Sequence, residues 1–439
     1  MNIVLPYGYK NIEVNIPDSC KITMLEPKKR PDFLPDFLKG VENEEEIVDT
    51  ALENPIGLDK LESILNSQST VAIVVDDITR PTPTKIILKP ILKKLYDIGI
   101  KDNKIDIIFA YGSHRVHTKE EKEILLGSQI LSKYRVHDHN AHEVSMLKKY
   151  GTTSRGTPIL INKIAAVADL RILTGVIKPH CQAAYSGGGK SILPGIAGIG
   201  TIIYDHNFDS VLKGLIGVIE GNPMRNDIEE AAGKLGVSFI LNVVLNSDKK
   251  IVAAVAGDMI KAHRLGCNIL DSLCRFTVNK QMDMGIVSCG APVDINLYQA
   301  INGIVSLIKI KTPVIKKNAT IILAAECSEG LGHSIFKKWR DMEPQDILDK
   351  LKNNATFEEG IWAIQVLSEC RRYANIIVVS EEKNKEDIKF TGLTYSRTME
   401  EAINVSLSKL RDSGIGKPEI LVLPDAPYMI MDLNDNKGL

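Results

Sequence analysis

The first clear sign of the fold is the stretch Val71-Ala72-Ile73-Val74-Val75-Asp76-Asp77-Ile78-Thr79-Arg80-Pro81. Its first five residues form a short, mostly β-branched apolar run, which is typical of a strand buried on both faces. Polar residues and a proline then end the strand. A helical pattern follows from about Thr84 to Tyr96. The chain therefore leaves a buried strand through a polar loop and enters a helix.

The same alternation continues along the N-terminal part of the chain. Strands are predicted at Ile105 to Ala110 and at Leu170 to Ile177, and Thr118-Lys119-Glu120-Glu121 is a capping box that opens a helix between them. Alternating strands and helices indicate a mainly parallel sheet covered by helices. Ligands of such sheets bind beyond the carboxyl ends of the strands. Polar residues that follow these strands are therefore candidates for one cleft: Asp77, Arg80, His114 and His180.

A second alternating set begins near Met284, with strands expected at Gly285 to Ser288, Thr320 to Ala324, Asn375 to Val379 and Glu419 to Val422. The 439 residues also exceed one ordinary core. We predict an α/β protein with two α/β domains, mainly parallel sheets and an active-site cleft between the domains. The N-terminal domain is expected at 1–275 and a Rossmann-like C-terminal domain at 280–412. The tail at about 415–439 is a candidate to return to the first domain.

Composition limits the class of protein. Hydrophobic residues make up 44% and charged residues 25%, and the net charge is -1. A chain without a basic excess lacks the electrostatic footprint of general nucleic-acid binding. No apolar run reaches membrane-spanning length and the N-terminus lacks a secretory pattern. Seven scattered cysteines without a CxxC pair argue against a disulfide framework and favour a reducing cytoplasm.

The most unusual chemistry lies between His180 and His206. Lys190 follows the glycines Gly187-Gly188-Gly189, ten residues after one histidine and sixteen before the other. Glycines let backbone N–H groups approach a bound anion, lysine supplies a nucleophilic amine and imidazole binds metals. A phosphate-binding P-loop nearly fits, but Ala184 stands where that motif needs glycine, and Pro194 interrupts the expected helix. A plain connection between buried strands is the other reading of the glycines.

Several motifs together resemble the nickel-pincer-nucleotide-dependent lactate racemase family. In the N-terminal half they are Asp77-Ile78-Thr79-Arg80-Pro81, Gly112-Ser113-His114-Arg115 and the spacing of His180, Lys190 and His206. The C-terminal half adds Asp294-Ile295-Asn296-Leu297-Tyr298-Gln299, the segment Glu326 to Gly332, and Trp362. The likeness covers most of the chain, and the motifs occur in the same order with matching internal spacings.

The resemblance implies a racemase or epimerase that inverts C2 of a 2-hydroxy acid. Lys190 would hold the nickel-pincer nucleotide (pyridinium-3-thioamide-5-thiocarboxylic acid mononucleotide) covalently, through a thioamide bond. His206 would be the protein's nickel ligand, and His114 and His180 the acid/base residues. The substrate-binding residues would be Asp77, Arg80, Tyr298, Gln299, Asn302 and Trp362. The implied partners are a small 2-hydroxy acid or sugar acid and the proteins that make the cofactor, with no nucleic acid and no membrane.

One position departs from the family pattern. The family places a lysine three residues after the glutamine of the Tyr-Gln pair, whereas this chain has Asn302. A neutral amide removes a positive charge beside the substrate. Lactate itself is therefore an uncertain substrate, and a longer or differently polar 2-hydroxy acid, or a sugar acid, is the alternative.

Two other functions remain open from the sequence. A zinc-dependent hydrolase could use the same histidines around an open metal position. A non-catalytic α/β protein could hold a nucleotide or another anion on the loop from Gly187 to Ser191. The cluster from His137 to His142 also has a two-residue histidine spacing that can chelate zinc. It precedes Glu143-Val144 with no further thiolate or acidic ligand nearby, so a solvated loop is expected there.

Overall fold

The computed structural model describes residues 1–236, 238–353 and 358–434. Its strands are, in chain order, β1 Asn2–Tyr7, β2 Lys10–Asn15, β3 Lys21–Met24, β4 Val71–Asp76, β5 Ile105–Ala110, β6 Arg135–Asp138, β7 Leu147–Thr152, β8 Pro158–Asn162, β9 Leu170–Val176, β10 Pro179–His180, β11 Ala184–Tyr185, β12 Ser238–Leu245, β13 Ile251–Asp258, β14 Arg275–Val278, β15 Met282–Ser288, β16 Ile315–Ala324, β17 Asn375–Val379, β18 Thr394–Ser396, β19 Glu419–Leu423 and β20 Ile430–Leu433. Its α-helices are α1 Glu44–Glu53, α2 Leu61–Ile64, α3 Thr84–Asp97, α4 Lys119–Leu126, α5 Ser128–Lys133, α6 Lys163–Val167, α7 Ile199–Asp205, α8 Phe208–Lys213, α9 Pro223–Gly233, α10 Lys261–Cys274, α11 Leu297–Ile308, α12 Ile335–Lys338, α13 Pro344–Asn353, α14 Ile361–Tyr373, α15 Lys385–Phe390 and α16 Met399–Asp412.

The first sheet has the strand order β13-β12-β9-β4-β5-β6. Its strands pair in parallel except for the β12–β13 hairpin at one edge. The central strand β4 is buried along its apolar run, because α6 and the Gly188–Ser191 turn pack against it. The capping box at Thr118 is present, with the Thr118 hydroxyl accepting from the Glu121 N–H. The predicted elements β4, α3, β5, α4 and β9 are all present in the predicted order, and the structure adds α5, β6, β7, β8 and α6 between α4 and β9.

The second sheet has the order β18-β17-β16-β15-β19-β3 and is parallel throughout. All four strands predicted from the C-terminal alternation are present in it. Two mainly parallel sheets with covering helices confirm the α/β fold class. No helix in the described ranges is long and apolar enough to cross a membrane.

The division of the chain differs from the expected 1–275 and 280–412 boundaries. Strand β3 lies at the edge of the second sheet, and the β1–β2 hairpin packs there too, with Ile3 and Leu5 in one core with Met284 and Ile286. The free edge of β19 provides backbone hydrogen-bond partners for β3. The sequence does not predict this pairing, because β3 has only four residues and is half-exposed.

The expected tail at about 415–439 also divides between the two parts. Strand β19 stays in the second sheet, whereas β20 pairs with β14, which follows α10. The Arg275 guanidinium bonds the Asp432 carboxylate across this pair at 2.9 Å. Residues 435–439 of the expected tail lie outside the described residues. Helix α10, which precedes β14 in the chain, packs on β12 and β13 of the first sheet.

Candidate active site

A cavity of about 760 Å³ lies between the two parts of the molecule. Its walls include the carboxyl ends of β4, β5 and β9, as expected for a parallel sheet. The second part contributes the first turns of α11 and α14. Every site residue predicted from the sequence lines this one cavity: Asp77, Arg80, His114, His180, Lys190, His206, Tyr298, Gln299, Asn302 and Trp362.

The glycines before Lys190 are required by their backbone conformation. Gly187 and Gly188 have φ angles of +78° and +59°, a region that side chains other than glycine rarely adopt. A Cβ on Gly187 would lie 2.8 Å from Oδ1 of buried Asn242, which accepts the Gly188 N–H at 2.7 Å. Gly188–Ser191 then form a short 3-10 turn rather than the α-helix of a P-loop. The loop is thus held rigidly, with Lys190 at the cavity wall.

The Lys190 amine has an unusual electrostatic environment. Burial, together with the positive charges of Arg80 and Arg225, lowers its pKa well below the ordinary value for lysine. An amine in such surroundings loses its proton more readily and becomes a nucleophile. Lys190 is therefore suited to forming a covalent bond, and less suited to serving as a permanent cation.

His206 ends helix α7, and its ring orientation is fixed. Its Nδ1 lies 3.0 Å from the Ile202 carbonyl oxygen and 3.3 Å from Oδ2 of buried Asp205. Donation from Nδ1–H leaves the lone pair on Nε2, as in metal-ligating histidines whose other nitrogen is hydrogen-bonded. The ring centre of Trp362, from the other side of the cavity, is 4.7 Å from the imidazole.

His114 and Asp77 form a hydrogen-bonded pair from neighbouring strands. Nδ1 of His114 lies 2.6 Å from Oδ2 of Asp77. Burial raises the pKa of Asp77, but His114 and Arg80 outweigh burial and hold that pKa well below its usual range. The ionised carboxylate accepts the Nδ1 proton, so Nε2 of His114 keeps a lone pair and can accept a proton.

His180 has the opposite arrangement. The backbone N–H groups of Gln182 and Ala183 donate to its Nδ1 at 3.2 and 3.1 Å. Burial and the charges of Lys190 and Arg80 lower its pKa well below the usual value, which favours the neutral ring. With Nδ1 as acceptor, the neutral ring carries its proton on Nε2. In this geometry His180 holds a proton, whereas His114 is ready to take one.

The second part of the molecule supplies a polar wall. Asn296 caps α11 by accepting the Gln299 N–H at 3.0 Å, and the first turns of that helix carry the lining residues. Trp362 Nε1 donates to the Tyr298 hydroxyl at 2.7 Å, and Asn302 Nδ2 donates to the Gln299 carbonyl at 2.9 Å. Burial raises the pKa of Tyr298 to about 12, so its hydroxyl keeps its proton at neutral pH.

Some lining residues were not predicted from the sequence. Lys178, Gln182 and Glu359 also face the cavity, and Glu359 lies 3.4 Å from Nε2 of His142 across the two parts of the molecule. The position of Lys178, two residues before His180, is the one sequence signal that could have identified it. Glu359 has no local signal, because its place depends on how α14 packs against α8 of the N-terminal part.

The histidine cluster at 137–142 does not form the expected solvated loop. His137 lies on β6 with Nε2 2.7 Å from Oδ1 of Asp106, and His139 is 1% exposed with Nε2 2.9 Å from the Ala197 carbonyl. The two rings thus serve separate structural contacts. Across the described ranges, no group of three or more His, Cys, Asp or Glu side chains could hold a metal ion.

Two family models match most of the chain. The lactate racemase N-terminal domain matches residues 7–214 and the lactate racemase C-terminal domain matches residues 278–430. The lactate racemase of Thermoanaerobacterium thermosaccharolyticum is 33% identical over 98% of this chain and 99% of the relative. That of Lactiplantibacillus plantarum is 32% identical over 89% of this chain and 91% of the relative.

Solved structures are similar as well. The lactate racemase apoprotein from Thermoanaerobacterium thermosaccharolyticum superposes with a TM-score of 0.89 at 31% identity, covering 98% of this chain and 100% of that one. A crystal structure of a protein from Thermotoga maritima has a TM-score of 0.70 at 21% identity, covering 90% of this chain and 100% of that one, and shows a similarity of fold.

Proposed function

This chain belongs to the lactate racemase family, and from this premise we propose that it inverts C2 of a 2-hydroxy acid by reversible hydride transfer, with a nickel-pincer nucleotide bound to Lys190. The observation that carries the proposal is the meeting of one nucleophilic lysine and three histidines in one cavity. Each of these four side chains has the protonation or orientation that its proposed role needs.

The residues present fit such a cofactor. A Cβ on Gly187 would lie 2.8 Å from Oδ1 of Asn242, so the turn needs glycine there, and the Lys190 amine on that turn has a lowered pKa. His206 offers one nitrogen for a metal while its other nitrogen is occupied. A single protein ligand is sufficient where the cofactor brings the remaining donors. When bound, the group supplies a hydride acceptor for the C2–H bond, and the protein supplies attachment, orientation and proton transfer.

His114 is the proposed base for one enantiomer. Nε2 accepts the proton of the substrate hydroxyl as the hydrogen on C2 leaves with its electron pair. The Asp77 carboxylate, bonded to Nδ1, stabilises the imidazolium that forms. The resulting 2-keto acid is planar at C2, so the hydrogen can return to either face.

His180 is the proposed proton donor for the opposite enantiomer. Its Nε2 proton goes to the new alkoxide when the hydrogen returns to the other face of C2, and the imidazolate that remains lies near the positive charge of Arg80. The reverse reaction starts from this state, with deprotonated His180 as the base and protonated His114 as the acid. Proton exchange with solvent restores the starting state of both rings for the next forward turnover. The Arg80 guanidinium offers a cation for the substrate carboxylate, and Tyr298 and Trp362 close the cavity from the other side.

The test is racemisation in D₂O by protein produced together with the cofactor-biosynthesis proteins. We expect single enantiomers from a panel of 2-hydroxy acids to racemise while C2 keeps its original hydrogen, because the hydrogen moves as a hydride that solvent does not exchange. Deuterium appearing at C2 would instead indicate direct proton removal. Absence of racemisation of every acid by nickel-loaded protein would contradict the proposed activity.

The two alternative functions are separated by the same preparation. A zinc-dependent hydrolase needs several protein ligands around one metal, and the described residues offer no such group. Stoichiometric zinc in a colourless protein would nevertheless favour it. A non-catalytic anion-binding protein would contain neither metal nor covalent adduct. The proposed holoenzyme contains nickel and absorbs in the near-ultraviolet to visible range.

Nickel retention is expected to depend on His206 and much less on His114. His206→Ala removes the proposed metal ligand, whereas His114→Ala removes a ring that is hydrogen-bonded to Asp77. We expect the first variant to lose nickel and colour and the second to keep both, as measured by metal analysis and absorbance of the purified proteins. Equal nickel loss in the two variants would contradict the assignment.

Asn302 is expected to set the substrate range, with lactate not the preferred substrate. Its amide lines the cavity and can both donate to and accept from a hydroxyl on a longer acid. A lysine there would add a charge-assisted hydrogen bond of roughly 1.5–3 kcal/mol, or about one to two orders of magnitude in kcat/KM. We expect Asn302→Lys to have a higher kcat/KM than wild type for lactate and a lower kcat/KM for the native substrate. The measurement is kcat/KM across a panel of 2-hydroxy acids and sugar acids. If lactate is the best substrate of the wild type and Asn302→Lys leaves kcat/KM unchanged, this position does not contact the substrate.

A further inference from the structure

Lys178 is a cation in the cavity that the proposed mechanism does not use. It lies between β9 and His180, and its backbone is fixed on both sides by one residue. The Lys178 N–H donates to the Ser186 hydroxyl at 2.9 Å, and the Lys178 carbonyl accepts the Ser186 N–H at 2.9 Å. The side chain therefore starts from a rigid position and reaches the cavity wall.

The Lys178 ammonium has no anionic partner in the part of the chain that the structure describes. Its Nζ faces the ring of Tyr428, whose centre is 5.3 Å away. Burial, with Arg80 and Lys249 nearby, lowers its pKa to about 7. An ammonium held in such surroundings without an anion is costly, and a bound anion would offset that cost.

Arg80 is the second cation, and the proposed function already assigns it the substrate carboxylate. It lines the same cavity, and among the described residues its guanidinium forms no ion pair. The two carboxylates next to it in sequence are already engaged. Asp76 accepts from the Thr82 hydroxyl at 2.6 Å, and Asp77 is bonded to His114. Arg80 and Lys178 follow neighbouring parallel strands of the first sheet, β4 and β9, and the ends of these strands are joined by the Val176 N–H, which donates to Oδ2 of Asp76 at 3.2 Å.

We propose that Lys178 and Arg80 together form a binding subsite for one oxyanion in the active cavity. Two adjacent unpaired cations on fixed backbone match the two or three oxygens of a carboxylate or a phosphate. Resting on the proposed function, the anion is either the carboxylate of the 2-hydroxy acid or the phosphate of the nucleotide. In the cofactor-loaded enzyme Lys190 does not belong to this subsite, because its amine is committed to the proposed covalent bond.

The test is calorimetric titration of the full chain prepared without cofactor. The probes are glycolate, the smallest 2-hydroxy acid, and inorganic phosphate. Lys178→Met keeps the length of the side chain under the Tyr428 ring and removes its charge, whereas Lys178→Arg keeps a charge. The matched control is Lys249→Met, because Nζ of Lys249 lies 3.6 Å from the centre of the same ring but does not line the cavity.

We expect Lys178→Met to weaken binding of one probe about ten-fold or more, with Lys178→Arg and Lys249→Met close to wild type. If Lys178→Met loses affinity for glycolate alone, the subsite binds the substrate carboxylate. If it loses affinity for phosphate alone, the subsite binds the phosphate of the nucleotide. The proposal is overturned if the wild type binds neither probe, or if Lys178→Met binds both probes with wild-type affinity. It is also overturned if Lys249→Met loses as much affinity for a probe as Lys178→Met does. Because these titrations need no turnover, their failure is distinct from an absence of racemisation by the loaded enzyme.

Discussion

Lys190→Ala is expected to abolish racemisation and to leave no nucleotide attached to the chain. The amine is the proposed point of covalent attachment, and no other side chain at the triple-glycine turn can replace it. Peptide mass spectrometry of wild-type protein made beside the biosynthesis pathway should find the adduct on the Lys190 peptide. An active holoenzyme with an unmodified Lys190 would contradict the assignment.

The fold should survive this substitution. The folded chain holds Lys190 with a pKa well below its ordinary value, so at neutral pH the unfolded chain binds more protons there. That difference lowers stability at neutral pH, and the penalty fades as pH rises through the ordinary lysine pKa. Alanine removes the penalty, so we expect the unloaded variant to melt at or above the wild-type Tm. Lys249→Ala is the control, since Lys249 lies outside the cavity and should leave the Lys190 adduct intact.

Alanine at His114 or at His180 should lower racemisation by ~10²–10⁴, the usual contribution of a positioned acid or base. Both directions of the reaction must fall together in each variant, because the two enantiomers have equal free energy. Polarimetry starting from each enantiomer in turn measures this, with nickel content and adduct confirmed for each preparation. If His180→Ala keeps near wild-type rates from both enantiomers, the two-histidine mechanism is wrong.

A histidine outside the cavity provides the control for this experiment. His137 is bonded to Asp106 on the first sheet and does not line the cavity. His137→Gln keeps a hydrogen-bonding side chain at that place, so we expect near wild-type racemisation. A loss as large as that of His114→Ala would show that the activity responds to damage of the first sheet in general, and not to removal of a proton-transfer group.

Local patterns in the sequence were sufficient for most of the fold. The run from Val71 to Val75 predicted a buried strand because a strand inside a parallel sheet must be apolar on both faces. The capping box at Thr118 predicted a helix start because it depends on neighbours three residues apart. The β1–β2 hairpin and β3 joined the second sheet unexpectedly, since pairing between residue 21 and residue 419 leaves no mark in either segment.

For the candidate active site, too, some features follow from the sequence and others only from the tertiary structure. The sequence by itself determined which residue types stand at strand ends and on the glycine turn, because strand ends and glycine conformations are local properties. Only the tertiary structure decided their chemical states. The carbonyl of Ile202 orients His206, and two backbone N–H groups place the proton on Nε2 of His180. These states depend on burial and on charges distant in sequence, which exist only once both parts of the chain enclose the cavity.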